Sequence, residues 1–269
     1  MKKYALLGYP LKHTLSPYVH GRLFEFSGIT DFSYEIMEIP PLKLAGEIKN
    51  LNSLCGYNIT IPYKCEIIKY TDMLDESARK YGAVNCISNK NGVITGYNTD
   101  CLGFTESLKT AGIALSGKVL VLGFGGAGRM MATEAALNGA EVTVAVLDLN
   151  EVNGAENISN SLTAVNINEI EGEFDLLVNA TPVGMYPEID GIPVEENIVK
   201  HCRAVFDAVY NPSKTKLLRV AEKLGINAVG GMAMLVRQAA AAHEIWYGGK
   251  FKDANIDDII NGAYKILNN

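Results

Sequence analysis

The chain has 269 residues, five cysteines and a net charge of −6. A chain of this length buries about 75% of its unfolded surface and needs no covalent staples. Its 48% hydrophobic and 20% charged residues exclude wholesale disorder. The acidic balance argues against a nucleic-acid partner, which calls for a basic stripe, and it obliges any anionic substrate to find local donors.

No apolar stretch is long enough to span a bilayer, so no membrane partner is expected. Lys2 and Lys3 precede an apolar run, 4–7, that is too short for the core of an export signal. The cysteines (55, 65, 86, 101 and 202) are odd in number and contain no C-x-x-C pair. They read as reduced thiols of a cytoplasmic protein. The four histidines lack metal-ligand spacing, and no metal site is expected.

Along the chain, strands alternate with helices. Residues 3–8 read as a short buried strand. Ser16 suits a helix N-cap and Pro17 the first helical position, with Val19, Leu23 and Phe26 on one face and Gly28 at the stop. Residues 34–39 form the next strand, and Leu44, Ile48 and Leu51 mark a helix. Residues 57–61 are strand-like, and Pro62 is expected to open another helix. Lys64 would then lie in the first turn, where a cation opposes the helix dipole, so stability does not explain it. Asn91-Gly92, between apolar runs 84–88 and 93–97, signals a hairpin. A helix follows over 100–111 and ends at Gly112. Asp100, at its start, suits a cap.

The second half changes character. Residues 118–122 form the apolar run of a buried parallel strand, which leads into Gly123-Phe124-Gly125-Gly126-Ala127-Gly128 and a helix ending near Gly139. Strands over 142–147, 176–179 and 204–207, with helical stretches between, complete the rhythm of a doubly wound sheet. In that context the Gly-x-Gly-x-x-Gly turn reads as a dinucleotide-binding loop. Its glycines let backbone N–H groups and a helix N-terminus approach a pyrophosphate. No Gly-Lys-[Ser/Thr] follows, which excludes a triphosphate P-loop. Asp148 lies 20 residues beyond Gly128, where a carboxylate would bond the adenosine ribose hydroxyls of NAD.

The polar residues at chain turns form a familiar set. Gly8-Tyr9-Pro10, Thr14-Leu15-Ser16-Pro17, Gly56-Tyr57-Asn58-Ile59-Thr60-Ile61-Pro62-Tyr63-Lys64, Gly82-Ala83-Val84-Asn85 and Gly96-Tyr97-Asn98-Thr99-Asp100 resemble the shikimate dehydrogenase family. The likeness continues through the glycine loop, 179–185, 207–212 and 231–238, and so covers nearly the whole chain in order.

The resemblance implies an α/β enzyme: an N-terminal α/β substrate domain and a Rossmann-type doubly wound nucleotide domain, with the active site in the cleft between them. The expected division is a substrate-binding and catalytic domain over 1–101, an NAD(P)-binding domain over 102–230, and C-terminal helices over 231–269 that return to the substrate domain. The implied reaction interconverts 3-dehydroshikimate and shikimate with a nicotinamide cofactor, in aromatic amino-acid biosynthesis. Lys64 and Asp100 would be the catalytic pair. Thr14 and Ser16 would hold the substrate carboxylate. Asn58, Thr60, Asn85, Tyr210 and Gln238 would complete the substrate site, with Asp100 also touching a hydroxyl. Gly123, Gly125, Gly126, Ala127 and Gly128 would take the pyrophosphate, with Asp148, Thr181, Ala208 and Gly231 also at the cofactor.

The chain departs from the family pattern in three places. Thr14 replaces a serine, and Cys86 a threonine. Val146-Leu147-Asp148 replaces the Asn-Arg-Thr that grips the 2′-phosphate of NADP. NAD is therefore the expected cofactor, with NADP possible. A quinate or amino-analogue substrate is the alternative within the family, and a non-catalytic nucleotide-binding regulator the alternative outside it. The expected partner is a small-molecule substrate, and the expected assembly a monomer or homodimer.

Overall fold

The computed structural model describes residues 1–11, 14–152 and 162–268. The chain divides into two compact units, one of Met1–Leu102 with Val236–Ala263, the other of Gly103–Leu235 with Tyr264–Asn269.

In the first unit, strands β1 (Lys2–Gly8), β2 (Phe32–Glu38), β3 (Gly56–Ile59), β4 (Met73–Leu74), β5 (Cys86–Lys90) and β6 (Val93–Tyr97) form one mixed sheet in the order β2-β1-β3-β5-β6-β4. Helices α1 (Ser16–Phe26), α2 (Leu44–Leu51) and α3 (Glu76–Tyr81) connect them. Strand alternation sends Tyr57 and Ile59 into a core with Ala5, Leu7 and Ile87 and turns Asn58 to the other face. The β5–β6 hairpin closes on Asn91 and Gly92, with φ of 57° and 84°, as a type I′ turn requires.

Three local expectations change. Leu15, not Ser16, occupies the N-cap of α1, and no side chain caps the helix. Pro62 opens no helix: Pro62–Lys64 lie in turns, and only Glu66–Tyr70 winds, as 3-10 helix. The dipole argument for Lys64 therefore lapses. Helix α3 was not foreseen. Its signal was Asp75, whose side chain accepts from Ser77 N at 2.9 Å, with Gly82 left-handed at the stop.

Helix α4 (Asp100–Thr110) leads into the second unit. Strands β7 (Lys118–Leu122), β8 (Glu141–Val146), β9 (Leu162–Asn166), β10 (Leu176–Asn179), β11 (Ala204–Asp207) and β12 (Asn227–Gly230) form a parallel sheet in the order β12-β11-β10-β7-β8-β9. This is the doubly wound order, with its switch point between β7 and β10. Helices α5 (Gly126–Leu137), α6 (Glu196–Lys200) and α7 (Lys216–Lys223) are its main helices. Leu120, Val121, Leu122, Leu176, Leu177 and Val178 are fully buried, each contributing about 1.5–3 kcal/mol. The helical stretch expected between 147 and 176 falls partly on 153–161, outside the described residues. The remainder holds two 3-10 turns, Leu149–Val152 and Ile167–Glu169, and β9.

Helices α8 (Met232–Tyr247) and α9 (Asp253–Leu267) end the chain, and 236–263 belong to the first unit. Trp246 packs on Tyr4 with ring centroids 4.5 Å apart. Beside it, His20 Nδ1 and His243 Nε2 lie 2.8 Å apart, and both rings are buried. Burial and the neighbouring His243 hold His20 well below its usual range. Burial alone lowers His243 to about 3. Both are neutral in the fold, whereas the unfolded chain takes up protons as pH falls through 6.5. Stability is thus full above pH 6.5 and is lost on acidification, by about 1.4 kcal/mol per pH unit for each histidine. Melting followed by circular dichroism should show the midpoint falling steadily from pH 7 to pH 5. A flat profile would refute the assignment of two neutral imidazoles.

Candidate active site

The first unit gathers one polar cluster from distant segments. Lys64 Nζ donates to Asp100 Oδ2 at 2.7 Å. Asn85 Nδ2 donates to Asp100 Oδ1 at 2.8 Å. Both carboxylate oxygens of Asp100 are thus engaged by side chains. Backbone bonds set this geometry: Val84 N donates to the Lys64 carbonyl at 2.7 Å, and Asn85 N to that of Tyr97 at 3.0 Å. Asn85 Oδ1 accepts from Thr99 N at 2.7 Å, which fixes its amide with the donor end toward Asp100. Gln238 Oε1, from α8, lies 3.4 Å from both Asn85 Nδ2 and Thr99 Oγ1.

Lys64 and Asp100 are mostly buried but reachable, their side chains 26% and 12% exposed. A reactive pair needs this intermediate state, since full burial would exclude substrate and full exposure would screen the pair. Thr14 Oγ1 donates to Ser16 Oγ at 3.1 Å and accepts from Ser16 N at 3.1 Å. Ser16, relieved of capping, is buried at the start of α1. Thr60 closes β3, and its methyl fills the space a Cβ at Gly8 would take, 2.5 Å away. Asn58 is buried, and Tyr34 Oη donates to its Oδ1 at 2.9 Å.

In the second unit the strand ends around the switch point converge. Helix α5 begins at Gly126 with Gly125 as an N-cap that offers no side chain, so its first N–H groups await an acceptor. A Cβ at Gly125 or Gly126 would meet nothing within 4 Å, whereas one at Gly128 would lie 2.2 Å from the Gly123 carbonyl. A Cβ at Gly123 would lie 2.9 Å from Thr181 Cγ2, and one at Gly231 would lie 2.1 Å from the Ala208 carbonyl. The loop glycines and Ala127 thus lie together with Thr181, and Ala208 with Gly231. Tyr210 follows two residues after Ala208, in this unit and not in the first. Burial raises its hydroxyl above the ordinary range.

Sequence reasoning missed the network that holds these turns. Asp207 is fully buried. Its Oδ1 accepts from Asn179 Nδ2 at 2.9 Å and Val209 N at 3.1 Å, and its Oδ2 from Thr215 Oγ1 at 2.6 Å. Asn179 Oδ1 in turn accepts from Thr181 N and Oγ1 at 3.0 and 2.7 Å. The available signal was a polar residue closing each of two otherwise apolar strands. Thr99 and Tyr34 were likewise missing from the expected site.

A doubly wound sheet with an open glycine turn at its switch point, and an α/β unit bearing an ammonium–carboxylate pair among fixed amides, define a dinucleotide-dependent oxidoreductase. Comparison with known proteins agrees. A model of the shikimate dehydrogenase substrate binding domain matches residues 6–87. A shikimate dehydrogenase (NADP(+)) of Caldanaerobacter subterraneus subsp. tengcongensis is 37% identical, with 97% of each chain covered. The solved shikimate dehydrogenase 1 of Peptoclostridium difficile superimposes with a TM-score of 0.90 at 31% identity, covering 99% of each chain. Shikimate 5-dehydrogenase of Thermus thermophilus, solved with NADP(H) and shikimate, gives 0.88 at 34%, covering 98% of this chain and 100% of that one. The chain belongs to the shikimate dehydrogenase family.

These relatives overturn the expected preference for NAD: curated relatives carry NADP(+) in their names, and the Thermus structure holds NADP(H). The structure weakens the basis of that expectation. Asp148 Oδ1 accepts from Asn150 N and Nδ2, both at 2.9 Å. The carboxylate closes its own turn after β8, so its position in the sequence does not establish a ribose contact or a repulsion. Among the described residues no helix is long and apolar enough to cross a membrane.

Asp207→Ala should destabilise the protein by at least about 3 kcal/mol, because three buried donors lose a charged acceptor together. Urea denaturation checks this, and a change below about 1 kcal/mol would show that the network is dispensable.

Proposed function

We propose that this protein interconverts 3-dehydroshikimate and shikimate with NADP, the reading best supported by the Asp100 carboxylate shared between Lys64 and Asn85 in a member of this family. On this reading the first unit binds substrate and the second binds the nucleotide. The loop fits a dinucleotide: Gly125 and Gly126 leave open the space a side chain would fill, above unpaired N–H groups. Arg129, exposed in the first turn of α5 with its guanidinium 5.1 Å from the Phe124 ring centre, is the cation this loop presents to a phosphate.

The bound nicotinamide supplies or accepts hydride. As the ketone is reduced, negative charge grows on its oxygen. The Lys64 ammonium has three N–H donors, of which one goes to Asp100. The others stabilise that charge, and the ammonium delivers the proton. In the reverse direction the neutral amine takes the hydroxyl proton. Asp100 aims Lys64 and, with Asn85, Thr60 and Gln238, orients the substrate hydroxyls. Ala208, Tyr210 and Gly231, all of the second unit, are its candidates for the nicotinamide end and would help to hold that group. Thr14, Ser16 and Asn58 hold the carboxylate end. Five cysteines, all unpaired, fit a cytoplasmic enzyme, and a monomer or homodimer completes the proposal.

Purified protein should reduce NADP with shikimate as sole substrate, and Lys64→Ala should lower kcat by about 10²- to 10⁴-fold with the fold intact. A folded Lys64→Ala variant with near-normal kcat removes the lysine from the chemistry.

The glycine loop gives a second test. Gly128→Ala forces a Cβ against backbone and should lower stability, whereas Gly125→Ala should melt like wild type. Its methyl should instead weaken NADP binding by about tenfold, the equivalent of one hydrogen bond, as read by titration calorimetry. Equal melting of all three proteins would contradict the close packing at Gly128. Unchanged NADP affinity in Gly125→Ala would place the pyrophosphate elsewhere.

A further inference from the structure

An asparagine amide is nearly symmetric in shape but opposite in chemistry at its two ends. At Asn58 the neighbours choose the end. Tyr34 on β2 and Gly56 on β3 both stand level with Tyr4 of the intervening strand β1. From there the Tyr34 hydroxyl reaches across β1 to donate to Asn58 Oδ1 at 2.9 Å. Donation runs from the Tyr34 hydroxyl to the Asn58 carbonyl oxygen, which leaves Nδ2 as the other end of the amide. Stacking on His20, with centroids 4.2 Å apart and planes 12° apart, holds the tyrosine ring.

The consequence falls on the other end of the amide. Asn58 is 4% exposed, and its Nδ2 is buried without a hydrogen-bond partner among the described residues. A buried donor left unpaired is unfavourable, and nothing in the packing of β3 requires an asparagine there: the adjacent Tyr57 and Ile59 are plain core residues. The arrangement makes sense as a donor kept for an acceptor that arrives from outside.

We propose that Tyr34 is a positioning residue for the substrate site, which locks the Asn58 amide so that Nδ2 donates to a substrate oxygen. It rests on the functional reading above and adds to it a residue that touches no substrate itself. Tyr34 tunes affinity for the acid, not the hydride step, because it acts on an amide that bonds neither Lys64 nor Asp100.

The test compares wild type, Tyr34→Phe, Asn58→Ala, the double variant and Asn58→Asp, by steady-state kinetics with shikimate and NADP and by thermal melting. Tyr34→Phe keeps the ring on His20 but frees the amide to turn. It should raise KM for shikimate by about 5- to 30-fold, with kcat within about threefold and KM for NADP unchanged. In the Asn58→Ala background the added Tyr34→Phe change should have no further effect on KM, since its object is gone. Asn58→Asp keeps the acceptor for Tyr34 and loses the donor, so it should show the raised KM with near-native melting. An unmoved KM in Tyr34→Phe, multiplied effects in the double variant, or a wild-type KM in Asn58→Asp would each overturn the inference. If Tyr34→Phe fails to fold, Asn58→Asp alone decides. Absence of shikimate turnover by the wild type would remove the functional reading and this inference together, whereas normal wild-type turnover with unmoved variants removes the inference alone.

Discussion

The carboxylate of Asp100 has two oxygens and serves two different donors, and the geometry of the first unit follows from keeping both. One oxygen takes Lys64, 36 residues earlier, and the other takes Asn85, 15 residues earlier. For Asn85 to donate, its own oxygen must be occupied, and Thr99 N occupies it. For Thr99 and Asp100 to arrive together, the chain must turn directly from β6 into α4. Asn98 makes that turn, accepting from Asp100 N at 3.1 Å and donating to the Ala83 carbonyl at 3.1 Å. The hairpin register, the Asn-Thr-Asp order and the placing of Lys64 after β3 are thus one constraint seen from three sides.

The second unit solves a related problem differently. Asp207 is a carboxylate with no cation bonded to it, yet it is fully buried. Burial favours its protonated form and raises its pKa above the ordinary carboxylate range, while bonds from Thr215, Val209 and Asn179 oppose the shift. Neutral donors can bind a buried carboxylate where the protein needs a fixed joint and no reactivity. The joint ties the turn after β10 to the turn after β11 at the C-terminal ends of the sheet, where doubly wound folds place ligands. Asp100, by contrast, is paired with an ammonium and left reachable. Two acids in one chain are given opposite roles by what surrounds them.

Much of this was legible in the chain. The parallel strands β7, β10 and β11 appear residue for residue as short apolar runs, because burial on both faces leaves no room for polar alternation. The β5–β6 hairpin follows from Asn91-Gly92 alone. Legibility failed where local chemistry was ambiguous. Pro62 is as good at opening a turn as a helix, and here it opens a turn. Asp148 sits at the right count from the glycine loop, but Asn150, two residues on, offers it a local bond that no spacing rule includes. The site was legible as a list of residue types and not as a network. Gln238 meets Asn85 across 153 residues, and Tyr34, an ordinary strand aromatic in the sequence, becomes a donor only when β1 carries it beside Asn58.

The choice of neutral donors on the proposed carboxylate side has its own logic. An arginine would bind an anionic substrate more tightly than neutral donors such as the proposed Thr14, Ser16 and Asn58, through two parallel charge-assisted bonds. A guanidinium within reach of Asp100 would also compete for it, since the two carboxylate oxygens match its fork. Lys64 would then lose the partner that aims it, and Asn85 the acceptor that aims its amide. Hydroxyls and amides hold an anion with directional bonds but add no net charge, so they leave the single ammonium assigned to the single carboxylate. The net charge of −6 does not draw an anion in from a distance, and salt screens such fields beyond about 10 Å in any case. On the proposed reading, recognition of the acid is a short-range matter of donor geometry, and the direction of the bond from Tyr34 to Asn58 bears on it.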